Sequence, residues 1–488
     1  MAQPIRVHPD NPRCFEFRGK AIALVTATEH YGAVLNRPFR MERYLADVAA
    51  KHITVTRLFC LFREQQSYVN PASTCKPASP DFIAPYVRTG PELAIDREPK
   101  YDLDQWNTEY FERLHRFLSL ASDYGIIVEV VLLSNTYEPT GWGLNPLHPG
   151  NNINGTPEIK WAEYMSLRHP TLWARQAAHA KKIVEETNRY DNIFYEMCNE
   201  PGGMPSGGDF ATPDEVNEWL SALAGIVRET EMGMENKHII AGQESFIYEP
   251  FSGPHDYAFG DFDVDAVNIH PLPGMEYHGQ MYNMGDFMSK GLKLRAMRDF
   301  CLATRDEKKP LNFDEDNIAS QYRDPEGWTI HRKRAWTALM GGCHYDVIDF
   351  SIQPWLEDGT EESQAHIRMW MKHLSDFVHS MDLARARTLA GWGKAQPEHT
   401  LESVLAVEGE DYAVYLADER ERDEAGAGEA IRGEVGFELA EGTWKVACYS
   451  PVTGMYSPAV EVEAKDGEAV RLGLPEFVGD IVVRVTKA

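Results

Sequence analysis

The feature that most restricts the fold of this chain is an alternation of two hydrophobic periods. Short apolar runs rich in β-branched residues alternate with amphipathic stretches from Ala21 to Ser380. Strands are expected at Ala21–Thr28, Ile53–Phe59, Ile126–Leu133, Ile193–Cys198, His238–Ala241, Ala266–His270, Leu311–Phe313 and Val347–Ser351. Helices are expected at Met41–Lys51, Thr108–Tyr124, Thr171–Arg189, Pro213–Glu231, Asp286–Thr304, Arg332–Gly341 and Glu361–Ser380. In Thr108–Tyr124 the residues Phe111, Leu114, Phe117, Leu118 and Ala121 recur three and four apart, which is one helix face, and Gly125 supplies a C-cap. A helix after a strand returns the chain to the same edge of the sheet, so the strands pair in parallel. Eight such strands predict a (β/α)8 barrel of about 250 residues plus insertions. A doubly wound open sheet is the alternative, weakened because no Gly-x-Gly-x-x-Gly follows an early strand.

Beyond about Ala390 the period changes. Seven short alternating runs, from Ser403–Val407 to Ile481–Val485, are separated by Gly, Asp, Glu and Pro clusters. Such spacing reads as a small antiparallel β-sandwich. The expected domains are a barrel over 1–388 with a short N-terminal strand and a sandwich over 389–488, and 488 residues exceed a single core. The formal net charge of −27 disfavours nucleic acid and anionic membrane as partners. Seven scattered cysteines without a Cys-x-x-Cys pair indicate neither a disulfide framework nor a structural zinc site. With no apolar leader and no bilayer-length run, a soluble cytoplasmic protein is expected, or a secreted one if a leader has been removed. Oligomeric state is not legible.

In a barrel of this kind the βα-loops enclose a cleft at the C-terminal ends of the strands. The residues there are Glu29-His30, Arg57, Ser134-Asn135, Asn199-Glu200, Gln243-Glu244, His270, Asp314-Glu315 and Gln353 to Trp355. A polar ring of this composition suits a polyhydroxylated ligand. Within it, Glu200 beside Asn199 ends a buried strand before Pro201 and a glycine pair, and a carboxylic acid so placed suits proton transfer. A second carboxyl is needed for glycosyl transfer with retention, and it should lie about 5–5.5 Å from the first.

The run YEMCNEP (Tyr195–Pro201) resembles the fourth-strand motif of the clan A glycoside hydrolases, the retaining barrel enzymes that include family-five cellulases and mannanases. KPLNFDEDN is similar to the seventh strand of that clan, TRLF to its second, and VNIHP to its sixth. A whole-chain likeness to cellulase-like proteins adds the start EFRGK…TEHYGAVLN and the trailing sandwich. The resemblance implies Glu200 as acid/base, Glu315 as nucleophile, Arg57 as support for that nucleophile, and His270 in the sugar subsite. It implies a carbohydrate substrate and no metal or other cofactor. Two positions depart from the clan: Leu133-Ser134-Asn135 where a His is common, and Leu272 where a Tyr is common.

The remaining residues divide between function and structure. Asn199 is expected to hydrogen-bond the sugar hydroxyl beside the anomeric centre. Glu29, His30 and Asn135 are candidate substrate contacts, although Glu29 and His30 suit a buried network equally. Trp142 and Trp355, with Trp161 behind them, are candidate stacking platforms. The loop Gly141–Gly155 is a candidate binding loop. Glu196 is expected to be a buried carboxylate partnered by Arg57, and Glu244 a solvated or paired residue. Strand alternation is expected to send Glu315 to the side of Leu311 and Phe313 and Asp314 to the opposite side, with Asp314 as the rival nucleophile. Two other readings stand beside the hydrolase: a metal-dependent sugar isomerase or lyase using His30, Glu200, His270 and Glu315, and a barrel that binds carbohydrate without turnover.

Overall fold

The computed structural model describes residues 3–61, 79–284, 293–316, 325–420 and 424–488. Its centre is an eight-stranded parallel sheet closed into a (β/α)8 barrel. The strands are β1 (Val25–Thr28), β2 (Val55–Phe59), β3 (Ile127–Ser134), β4 (Ile193–Asn199), β5 (Ile240–Gly242), β6 (Ala266–Asn268), β7 (Leu311–Phe313) and β8 (His344–Ile348). They follow one another around the sheet in chain order, with β8 paired to β1. The seam between β1 and β2 is held by Thr54, whose N–H donates to the Val25 carbonyl at 3.0 Å and whose hydroxyl accepts from Val25 N–H at 2.9 Å.

Side chains that point inward form two layers. The lower one is apolar: Leu24, Val55, Ile127, Phe194, Ala241 and Ala266 pack with Ile5, Phe15 and Phe17 from the N-terminal segment. Phe15 and Phe17 lie on strand Asn11–Phe17, which pairs with Lys20–Ile22 as a hairpin under the barrel. That hairpin is a plug. Above it the inward positions become polar, and the site is built there.

Helix expectations hold best where amphipathicity and capping agree. Thr108–Tyr124 has Asn107 accepting from Glu109 N–H at its start and Gly125 in the left-handed region at its end. Pro213–Glu231 opens on a capping box between Thr212 and Glu215. Other stretches differ from expectation. Glu361–Ser380 is broken at His366 into Glu361–Ala365 and Ile367–Val378. The helix expected from Asp286 is seen over Leu294–Ala303, and 285–292 lie outside the described residues. The helix before β8 starts at Pro325 rather than Arg332. Its charged residues are paired inside the molecule: Arg332 with Asp480 at 2.9 Å, Arg334 with Asp316, and Lys333 with the Asp418 carbonyl at 3.0 Å. A hairpin, Tyr86–Leu93 with Pro99–Trp106, occupies a stretch expected to be loop.

From Arg387 the chain forms a six-stranded antiparallel sheet and a three-stranded one, with Val404, Val414, Val435, Phe437, Trp444 and Val483 buried in one core. The sandwich rests on the barrel through the helix Pro325–Met340, where Trp336 stacks on Tyr415 with ring centroids 5.6 Å apart. Asp480 accepts from both Arg332 and the Tyr415 hydroxyl at this seam. Among the described residues no helix is long and apolar enough to cross a membrane.

Candidate active site

Two residues further along the same strands, the apolar layer gives way to Arg57, Glu129, Glu196 and Asn268, all buried. Arg57 is the hub. Its guanidinium meets Glu196, Asp314 at 3.0 Å, Glu315 at 3.1 Å and Glu129 at 3.5 Å. It also donates to Asn199 Oδ1 at 3.2 Å and lies 4.7 Å from the centre of the Tyr31 ring. One cation thus faces four carboxylates, and they cannot all be ionised at such spacing. Burial pushes the Glu196 pKa up to about 7, with Arg57 opposing and Asp314 reinforcing the rise. Burial drives Glu129 well above the carboxylate range; Arg57 opposes this, while Glu196 and Asp314 add to it. The expected pairing of Glu196 with Arg57 is present.

Glu200 stands at the mouth with its side chain 16% exposed. Its φ of +50° is left-handed, a conformation an L side chain adopts at a cost of order 1–3 kcal/mol. Tyr31, Tyr137 and Trp355, on three other loops at this end, share that conformation. The turn after Glu200 needs its glycines. Gly202-Gly203 pairs with Phe246–Ile247, and a Cβ on Gly202 would sit 2.5 Å from the Phe246 ring. Both Glu200 oxygens are engaged: the Tyr137 hydroxyl donates to one, and His270 Nδ1 lies 3.0 Å from the other. Asn199 Nδ2 donates to the Tyr137 hydroxyl at 2.7 Å, so Arg57, Asn199, Tyr137 and Glu200 form one chain of contacts.

His270 Nε2 lies 3.2 Å from Asp314 Oδ2, so the imidazole bridges Glu200 and Asp314 rather than facing an open subsite. Burial alone would lower its pKa. The charges of Asp314 and Glu315 and hydrogen bonds to Asp314 and Glu200 outweigh burial and hold it well above the usual imidazole range. Ligand atoms of Glu200, His270 and Glu315 all lie within 4.8 Å of one another. That trio could hold an ion. His30 is not part of it and packs edge-on against Phe350 at 5.0 Å.

The expected alternation at β7 holds for Asp314, which lies opposite Phe313, but not for Glu315. Phe313 faces outward to Phe300, whereas Asn312 is level with Asn268, whose amide donates inward to Glu129 at 2.5 Å. By that parity Asp314 points into the barrel, and it does. Glu315 lies beyond the strand end, where alternation no longer governs direction, and it too reaches Arg57. Both acids are buried.

At Glu29 the buried network is the alternative found, and the expectations at Trp142, Asn135 and Glu244 need correction. Glu29 is spent on its own loop: its carboxylate accepts from Gly32 and Ala33 N–H at 2.9 and 3.1 Å. Burial lifts its pKa to about 8 against those two donors. Trp142, 3% exposed, packs on Tyr164 and His148 as core, because Pro139–Leu144 folds as a short helix. Asn135 has its amide engaged within the protein. Its amide nitrogen donates to the Glu200 carbonyl and the Tyr248 hydroxyl, both at 2.8 Å, and its oxygen accepts from Tyr137 N–H. Glu244 is neither solvated nor ion-paired but buried, accepting from Ala258 N–H at 2.6 Å. Trp355, 61% exposed, does stand at the rim after β8. Trp161 is half-buried beside Tyr248 and Phe210. Tyr31, Tyr137 and Glu129 were not singled out by sequence; Tyr137, two residues after a strand-end Asn, carried the one usable signal.

Residues 75–166 match a family described as Domain of unknown function (DUF6298). No curated protein matches the chain. Among solved structures, the chain is similar to a glycoside hydrolase family 5 protein from Bacteroides vulgatus, at 12% identity and a TM-score of 0.61, covering 99% of this chain and 93% of that one. It is similar to a second protein from that organism described as a putative glycoside hydrolase, at 13% identity and 0.63, covering 100% and 83%. A third, described as a glycoside hydrolase, matches at 12% and 0.60, covering 100% and 97%. The likeness establishes the fold along the whole chain.

Proposed function

We propose that this protein is a retaining glycoside hydrolase acting on a β-linked oligo- or polysaccharide, with Glu200 as acid/base and Glu315 as nucleophile. The observation that carries the reading is that an oxygen of each of these two carboxyls comes within 4.8 Å of the other, with Arg57 3.1 Å from Glu315. That spacing fits a double displacement, whereas inversion needs roughly 6.5–9.5 Å to admit a water. The descriptions of the three matched barrels as glycoside hydrolases agree with it.

In the first step a Glu315 oxygen attacks the anomeric carbon while Glu200 gives its proton to the departing glycosidic oxygen. In the second, Glu200 takes a proton from water, whose oxygen displaces Glu315 and restores the original configuration. Arg57 stabilises the ionised nucleophile. Asp314, deeper and shared by Arg57 and His270, serves as a positioning residue. Tyr137 and His270 orient Glu200, Asn199 offers its remaining N–H to the sugar, and Trp355 offers a stacking face. The sandwich braces the barrel helices.

Glu315→Ala should abolish turnover of an activated aryl β-glycoside. Azide should restore part of it and yield a glycosyl azide of inverted configuration. Undiminished turnover by the variant would overturn the assignment. A loss of wild-type activity with EDTA, recovered by a divalent ion, would instead favour the metal-dependent isomerase or lyase.

A further inference from the structure

At the opposite end of the barrel, a cavity of about 260 Å³ lies between the N-terminal hairpin, the start of β8 and strand Arg387–Leu389 of the sandwich. Its cations are unusual for so acidic a chain. Arg13, only 7% exposed, donates to the Lys309 carbonyl at 2.7 Å and meets Cys343 Sγ at 3.4 Å, while its Nε has no partner. Arg387 donates through its two terminal nitrogens to the backbone carbonyls of Asp10, Ala384 and Ala386, which leaves Nε–H for a ligand. Among the described residues neither arginine is paired with a carboxylate.

A neutral donor completes the set. His344 Nδ1 accepts from Leu24 N–H at 3.0 Å, which leaves the proton on Nε2. That nitrogen belongs to a buried side chain lining the cavity, and its one neighbouring acceptor is the Arg13 backbone, at a geometry short of a full hydrogen bond. Arg305 and Asp306, also on the wall, offset each other at 3.6 Å. Glu408 is then the one acid against two arginines. A thiolate at Cys343 would balance Arg13 and still leave Arg387. The rest of the wall includes Val378, Leu383 and Leu405.

We propose that this cavity binds a small oxyanion, a carboxylate or phosphate carried on a short apolar body. Guanidinium groups recognise both anions by paired N–H donors. A buried cation without a counter-charge, as Arg13 is, is costly, and an anionic ligand lowers that cost. The volume falls below the roughly 300–1,000 Å³ of drug-sized sites, so the occupant is small.

Calorimetric titration of the full chain with inorganic phosphate and, separately, with butyrate tests this. Saturable binding of either probe is expected, and the probe that binds identifies the anion. Affinity should fall at least tenfold in Arg387→Met, whose exposed side chain can be changed without disturbing the core, and in Arg13→Met. Failure of both probes to saturate at millimolar concentration, or unchanged affinity in Arg387→Met, overturns the proposal. Neither outcome depends on the chemistry assigned to Glu200 and Glu315.

Discussion

The two ends of the barrel interior are built by the same strands and differ in everything else. Val55, Ile127, Phe194 and Ala266 pack on the hairpin plug; Arg57, Glu129, Glu196 and Asn268 follow two positions later. Two residues of strand rise, about 6.6 Å, separate a sealed apolar floor from a chamber with one arginine and several acids. The floor stores stability, because apolar burial there has no polar cost. The chamber spends it: carboxyls crowd Arg57 and His270, and Tyr31, Tyr137, Glu200 and Trp355 hold left-handed conformations above them. Left-handed residues occur at the floor end too, at Arg18 and His52, so it is their combination with crowded buried carboxyls that sets the chamber apart.

That contrast can be broken from either side. Glu200→Ala should lower kcat about 10²–10⁴-fold on a glycoside with a poor leaving group. With a dinitrophenyl leaving group, which needs no proton, the loss in the first step should largely disappear. An equal loss on both substrates would remove Glu200 from the acid role. At the floor, Phe15→Ala should cost about 3–5 kcal/mol of stability, measured by urea unfolding, with kcat per folded molecule unchanged. A large drop in kcat at full folding would show that floor and chamber are not separable. The smallest expected effect is that of Tyr137→Phe. Its hydroxyl donates to Glu200, and hydrogen bonds to charged groups contribute about 1.5–3 kcal/mol. Removing it destabilises the ionised carboxylate, so the basic limb of the kcat/KM profile should move to higher pH. An unmoved limb would make Tyr137 structural.

The barrel was legible because its signals are local and redundant. Thr108–Tyr124 and Pro213–Glu231 combine amphipathic spacing with caps at their ends. The hairpin Tyr86–Leu93 with Pro99–Trp106 was not, because only four of its sixteen strand residues are buried and Gly90, Pro91 and Pro99 interrupt the alternation, so it mimics a loop. Within Pro325–Met340 the burial of Arg332 and Arg334 was hidden for the opposite reason: both look solvated but are paired with the buried acids Asp480 and Asp316. At the candidate site, Arg57 was recoverable as an inward strand residue, and Asn199, Glu200, His270 and Glu315 as residues at or just past strand ends. The side chains on loops were not. Tyr31 and Tyr137 are aimed by left-handed turns that no period encodes, and Trp142 turns inward on a short helix. The inward face of β7 needed its neighbour Asn268 to settle it.

The central claim is that Glu315, held by Arg57 and facing Glu200, attacks the sugar. Incubation with dinitrophenyl 2-deoxy-2-fluoro-β-glycosides, followed by mass spectrometry of proteolytic fragments, tests it most directly. The expected result is one fluoroglycosyl group per chain, esterified to Glu315. A label on Asp314, or rapid turnover with inversion and no labelled intermediate, would contradict it.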